Sequence, residues 1–131
     1  MTEVKKKIHI PIYGGWMHVA MSDEDNIYEL AKRNFNVDDE SLKDYDGVVL
    51  VKGDFPTGVY PVLFSGKISP GIVAHEAKHI VNRIFTDIDM LLDRSNDECE
   101  TYLLSWIVNR IWEVKMKLEK KKNEELNRTD K

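Results

Sequence analysis

The side chains best suited to chemistry lie together in one pentad, His75-Glu76-Ala77-Lys78-His79. Two histidines four positions apart share one face of an α-helix, with their Cβ atoms about 5–6 Å apart. Imidazoles at that separation can bind one Zn²⁺ at about 2.0–2.1 Å. Glu76 points about 100° around the helix from His75, which makes it a poor ligand but a well-placed general base toward a water that the metal activates. The pentad therefore predicts a zinc site equipped for hydrolysis.

A helical wheel separates the two histidines from the apolar side of their helix. Over residues 71–92 the apolar residues of this predicted helix recur at spacings of three, four and seven: Val73, Ala77, Ile80, Val81, Ile84, Ile88 and Leu91. His75 and His79 fall on nearly the opposite face, beside Lys78 and Asn82. This placement disfavours two histidines buried in a core. The alternative to a metal site is a solvated helix face that carries two histidines.

A catalytic zinc usually has three protein ligands and an open fourth position. No histidine follows His79, so a third ligand downstream is a carboxylate or is absent. Glu98 and Glu100 are the leading candidates, because they lie in the first turn of the next predicted helix, which can fold back antiparallel on the pentad helix. Glu98 is preferred, since it aligns with Tyr102 at the edge of that helix's apolar arc, whereas Glu100 points about 160° away from Tyr102.

The composition is that of one globular domain. A chain of 131 residues, 42% of them hydrophobic, suits a single domain over residues 1–131, with residues 119–131 expected to form a solvated, frayed helix end. The net charge of −4 gives no indication of a nucleic-acid partner. Cys99 is the only cysteine, and no apolar run reaches the roughly 18 residues of a membrane span. We therefore expect a cytoplasmic protein with no membrane partner.

Four strands are predicted from alternating or continuous apolar runs. Residues 5–12 and 16–21 form a hairpin around Tyr13-Gly14-Gly15, and residues 47–51 and 59–64 form two further strands. Pro61 places the last strand at a sheet edge, because proline cannot donate to the ladder. Such an edge could bind an extended substrate as an added strand, or it could be an ordinary sheet edge.

Three helices complete the predicted order. The first has Ser22 as its N-cap, the pentad helix begins with Ser69 as N-cap and Pro70 at its first position, and the last begins near Asp97. The expected buried face of the last helix consists of Tyr102, Leu103, Trp106, Ile107, Ile111, Val114 and Leu118. The order predicts an α+β fold, a small mixed or antiparallel sheet with helices on one side.

Residues 73–106 resemble a known class of proteins. Two histidines of an H-E-x-x-H motif and a glutamate from the next helix are typical of gluzincin-type zinc metallopeptidases. The blocks 73–79, Asn96-Asp97-Glu98 and 102–106 are together similar to small zincin-like proteins of bacteriophages. The resemblance implies a minimal zincin-like domain in the host cytoplasm, with zinc bound by His75, His79 and Glu98 and with Glu76 as general base. It departs from the large secreted gluzincins at Tyr102, where those carry an acidic residue.

The predicted activity is zinc-dependent hydrolysis of a peptide bond in a peptide or protein substrate, with host proteins as candidates. We assign Glu76 and Tyr102 to the catalytic site, with Tyr60 and His18 as alternatives to Tyr102 for holding the oxyanion. The alternative function is a non-enzymatic interaction or inhibitor protein that keeps a zinc site for structure. A structural zinc is normally closed by four protein ligands, whereas the sequence offers three.

Overall fold

The computed structural model describes residues 2–51 and 55–129, with Thr129 described by its backbone alone. These residues form four strands and three α-helices. In chain order these are β1 (Glu3–His9), β2 (Trp16–Ser22), α1 (Ile27–Phe35), a 3-10 helix (Glu40–Asp44), β3 (Gly47–Val49), β4 (Val59–Ser65), α2 (Pro70–Asp87) and α3 (Glu98–Thr129). None of the helices in the described part is long and apolar enough to cross a bilayer.

The strands form one mixed sheet in the order β1-β2-β4-β3. β1 and β2 are the predicted antiparallel hairpin. β2 and β4 pair in parallel, with Val19 opposite Val62, and β3 pairs antiparallel with β4, with Val49 opposite the same Val62. The sheet and helices confirm the predicted α+β class.

β4 is a central strand, so the prediction that Pro61 marks a sheet edge is wrong. The proline is tolerated because its missing N–H falls where pairing with β3 stops. The N–H of Leu50 donates to the carbonyl of Pro61 at 3.0 Å, and the reciprocal bond cannot form without a proline N–H. β3 therefore ends at Val49 and is itself the edge strand, shorter than the predicted run 47–51.

Helices cover both faces of the sheet. α2 and α3 pack on one face, against a core that includes Val19, Val62 and Phe64. α1 packs on the other face, against Ala20 and Leu63. Successive residues of a strand point to opposite faces, and β4 carries apolar residues at both sets of positions. The expectation that helices cover one side of the sheet is met by α2 and α3. It is wrong for α1, which covers the other side.

The first helix begins later than predicted. Its N-cap is Asn26, whose side chain accepts the N–H of Glu29 at 2.9 Å. Ser22 belongs to the end of β2, and its hydroxyl accepts N–H bonds from Glu24 and Asp25 in the connecting turn. Ser22 therefore stabilises a turn and does not begin the helix.

The start of α2 agrees with prediction and its end does not. Ser69 caps the helix by accepting the N–H of Ile72, and Pro70 is its first residue. The helix ends at Asp87 instead of residue 92, and Asp89 adopts a left-handed conformation with φ of 60°. Ile88 and Leu91 are accordingly 41% and 88% exposed and lie outside the buried stripe, whose five earlier members are buried as predicted.

α3 is a long helix that is packed as far as Leu118 and solvated in the rest of its second half. Five of the seven predicted residues are buried: Leu103, Ile107, Ile111, Val114 and Leu118. Trp106 is partly buried, and Tyr102 is 73% exposed, so its assignment to the buried face is wrong. The second half stays helical to Thr129. Thr2 Oγ1 donates to Glu125 Oε2 at 2.6 Å, joining this half to the N-terminal segment.

Candidate metal centre

His75 and His79 lie on the solvent side of α2 with their rings turned toward each other. Their Nε2 atoms are 3.3 Å apart, and the ring planes cross at 76°. Two nitrogens each about 2.0–2.1 Å from a tetrahedral zinc are about 3.3–3.4 Å from each other. The pair therefore has the nitrogen separation that a shared zinc ion requires. The His75 side chain is 68% exposed, so the nitrogens remain accessible.

Glu76 is the buried member of the pentad, 7% exposed overall. Its Oε2 lies 3.9 Å from His75 Nε2, and its carboxylate accepts the backbone N–H of Val49 on β3. Burial raises the pKa of the Glu76 carboxyl, while His75, His79 and the Val49 N–H act in the opposite direction. A buried carboxylate with a raised pKa beside two exposed histidines is suited to accept a proton.

The raised pKa predicts how Glu76 affects stability. Below the ordinary pKa of 4.5 the carboxyl is protonated in both folded and unfolded chains, whereas at higher pH the folded protein bears the cost of a buried charge. In protein stripped of metal by a chelator, we therefore expect Glu76→Gln to be more stable than wild type at pH 7. The difference should shrink as the pH falls and vanish well below 4.5, as measured by urea unfolding across this range.

The control for this stability measurement is Glu124→Gln, which alters an exposed glutamate near the end of α3. Its free energy of unfolding should follow the wild-type curve at every pH. A wild-type protein that is more stable than Glu76→Gln at pH 7 would contradict the conclusion that burial of the charge outweighs the opposing effects of His75, His79 and the Val49 N–H.

β3 forms the wall opposite α2. A Cβ on Gly47 would lie 3.0 Å from Ile72 Cγ2, so glycine permits this end of the strand to approach the first turn of α2. Further along, the Val49 N–H meets Glu76. Strand and helix thus run side by side and enclose a cleft of about 560 Å³. A smaller hollow of about 300 Å³ continues on the other side of His75, toward Gly71.

Beyond His79 the cleft is lined by polar side chains that the sequence reasoning did not assign to the site: Asn82, Arg83, Thr86 and Asp87. At the far end Tyr60 Oη donates to Asp87 Oδ2 at 2.7 Å. The pKa of Tyr60 is raised by burial and by this hydrogen bond, against a smaller opposing effect of Arg83. Asn82, Arg83, Thr86 and Asp87 follow His79 by three, four, seven and eight positions, which puts them on the histidine face of α2. This spacing is visible in the sequence.

The predicted third ligand lies apart from the histidines. Glu98 is the first residue of α3 and is exposed. Glu100 instead forms an ion pair with Lys78 of α2, whose Nζ also donates to Asn82 Oδ1 at 3.0 Å. Across residues 2–51 and 55–129, no three His, Cys, Asp or Glu side chains are grouped to hold a metal ion. The structure thus joins His75, Glu76 and His79 and does not bring Glu98 to them.

The candidate oxyanion donors also lie away from the histidines. Tyr102 is exposed on α3 and does not line the cleft. Tyr60 donates to Asp87, about three helical turns from His75. His18 packs against Phe35, on the α1 side of the sheet, with ring centroids 6.4 Å apart, and burial, then Lys7 and Lys5, lower its pKa.

Comparison with protein-family models, with curated proteins and with solved structures finds no match for this chain. A function therefore has to be inferred from the pentad and its cleft.

Proposed function

We propose that the chain is a zinc-dependent peptidase that cleaves a peptide or protein substrate, acting in the cytoplasm of a host cell as a bacteriophage-type zincin. The observation that carries the proposal is the 3.3 Å separation of the His75 and His79 Nε2 atoms beside the buried carboxylate of Glu76. Two nitrogen ligands and an adjacent proton acceptor supply most of what metal-assisted hydrolysis needs from a protein, and a third ligand completes the set.

The residues divide the chemistry between them. Zinc, when bound, supplies Lewis acidity and lowers the pKa of a coordinated water toward neutrality. His75 and His79 would hold the ion through their Nε2 atoms, which are 3.3 Å apart. Glu76 accepts the proton of the attacking water and can return it to the leaving amine. The Val49 N–H keeps the Glu76 carboxylate turned toward β3, on the cleft side of the helix.

Among the described residues no strand pairs with the outer edge of β3, and the backbone groups there that Glu76 does not engage are suited to an extended substrate. The N–H of Leu50 points to β4, so the backbone groups of its neighbour Val49 point away from β4, toward the cleft. A peptide that pairs with this edge would run alongside α2 and pass Glu76 and the histidines. The sequence predicted this pairing for residues 59–64, but they form a central strand. We therefore propose β3 for the pairing instead.

Exposure of the metal site favours catalysis over a purely structural zinc. A structural zinc is closed by four protein ligands, whereas His75 is 68% exposed on its side chain and lines an open cleft. An interaction protein that keeps zinc for folding would bury these histidines among further ligands. The cleft geometry therefore supports the peptidase over the interaction or inhibitor protein.

Glu98 is the proposed third ligand, and it makes the proposal testable at a single position. Wild-type protein, loaded with zinc and dialysed, is expected to hold one zinc per chain by elemental analysis. Glu98→Gln should weaken zinc affinity at least tenfold, since losing a ligand should cost no less than losing the outer-shell contacts that are worth about 10–100-fold. Glu100→Gln, the matched control two residues away, should change the affinity hardly at all.

Each other result of the zinc titration has a definite meaning. The reverse ranking would make Glu100 the ligand and require its ion pair with Lys78 to open when zinc binds. Equal, small effects would leave the two histidines alone and contradict the zincin-type site. Wild-type protein without zinc after loading and dialysis would remove the proposed function altogether.

A further inference from the structure

Arg83 is a cation that lines the cleft and has no pairing partner among the described residues. It follows His79 by one helical turn and lines the cleft with Asn82 and Asp87. Within the described residues its guanidinium makes no hydrogen bond or ion pair, and its Nε is buried without a partner. The contrast with Arg33 is clear, because Arg33 is paired with carboxylates of the protein itself.

The carboxylate nearest to Arg83 along α2 is already engaged. Asp87 lies one turn further on, and its Oδ2 accepts the Tyr60 hydroxyl at 2.7 Å. The Arg83 charge acts on Tyr60, so the guanidinium lies near this pair without bonding to it. A partly buried guanidinium has lost part of its hydration, and its fork of donors matches a carboxylate in two-point contact.

The distance between Arg83 and His79 indicates which part of a bound peptide would lie beside Arg83. Four helical residues separate Arg83 from His79, which is about 6 Å along the axis. An extended peptide advances about 3.3–3.6 Å per residue. A peptide lying between β3 and α2 would therefore place a group about two residues from the reacting bond beside Arg83.

We propose that Arg83 is a specificity-determining residue that binds a carboxylate of the substrate about two residues from the cleaved bond. The position of that bond rests on the proposed peptidase function, whereas the binding of a carboxylate by Arg83 does not. The carboxylate comes from an acidic side chain or from the C-terminus of the peptide, since both present the same pair of oxygens.

Binding of three short peptides to the full-length chain tests this inference without requiring hydrolysis. The probes are Ac-Ala-Glu-Ala-NH₂, Ac-Ala-Ala-Ala with a free C-terminal carboxylate, and neutral Ac-Ala-Gln-Ala-NH₂, titrated by NMR at matched, measured zinc content. We expect at least one carboxylate peptide to bind about tenfold more tightly than the neutral one. The peptide that does so identifies the source of the carboxylate.

Variants assign the preference to Arg83. Arg83→Gln should remove it, Arg83→Lys should keep part of it because charge remains without the fork, and Arg94→Gln should leave it unchanged. Arg94 is a matched control, since it is exposed in the loop after α2 and does not line the cleft. Thermal unfolding of each variant verifies that it is folded.

Two results would overturn the inference: a wild-type chain that binds all three peptides equally, or an Arg83→Gln variant that is folded and keeps the preference. The outcome is separable from that of the proposed function. A chain that holds no zinc but shows an Arg83-dependent preference would lose the peptidase assignment and retain the carboxylate site. A chain that holds zinc and lacks the preference would retain the peptidase assignment and lose the carboxylate site.

Discussion

Glu76→Gln is expected to abolish peptide hydrolysis while leaving the fold and the zinc content intact. General base catalysis is typically worth about 10²–10⁴ in rate, and glutamine cannot accept the proton. The structure explains why the replacement preserves geometry. Glu76 accepts the Val49 N–H, and the amide oxygen of glutamine can accept the same bond. Glu76 therefore has a structural contact with β3 in addition to its proposed chemical role.

The hydrolysis measurement has to allow for an unidentified substrate. Mass spectrometry of a peptide library, incubated with wild type, Glu76→Gln and the control Glu124→Gln, reports cleavage of any member. Cleavage that persists in Glu76→Gln would contradict the mechanism. Expression in the host cell gives a second reading: an effect that survives Glu76→Gln but is lost in a zinc-free variant would show that the chain acts by binding and uses zinc for structure.

His79→Ala is expected to eliminate zinc binding, because one imidazole and one carboxylate hold this metal poorly. His79 is exposed on α2, and the buried stripe lies on the other side of the helix, so the fold should survive the change. Zinc per chain by elemental analysis and the circular dichroism spectrum together test both statements.

The control for the zinc measurement is His9→Ala. His9 is an exposed histidine on β1 whose ring contacts Trp16, with centroids 5.0 Å apart, and its loss should leave zinc binding unchanged. A His79→Ala protein that still holds one zinc per chain would place the metal elsewhere and remove the pentad from the proposal.

Local features of the fold and site were predictable from the sequence. Side-chain direction in a helix follows a period of 3.6 residues, so the separation of His75 and His79 from the buried stripe could be read without a structure. Capping is equally local, since Ser69 accepts an N–H three residues ahead. The hairpin of β1 and β2 likewise follows from alternation around two glycines.

Tertiary contacts decided where these local pieces lie. Pro61 indicates an edge on average, but a central position is possible because its missing donor falls where the partner strand ends. Tyr102 matches the apolar arc of α3 by spacing, yet it is exposed, since the docking of α3 on α2 determines which part of the arc is covered. Neither outcome follows from residues close in sequence.

The pentad by itself determined a pair of imidazoles on one helical face and a carboxylate beside them, because four residues make about one helical turn in any protein. Only the tertiary structure decided what surrounds them. It buries Glu76 against the Val49 N–H, opens a cleft lined by Arg83, and leaves Glu98 exposed at the start of α3. The physical reason is that strand order and helix docking depend on apolar burial between distant segments, whereas helical periodicity depends on the local backbone alone.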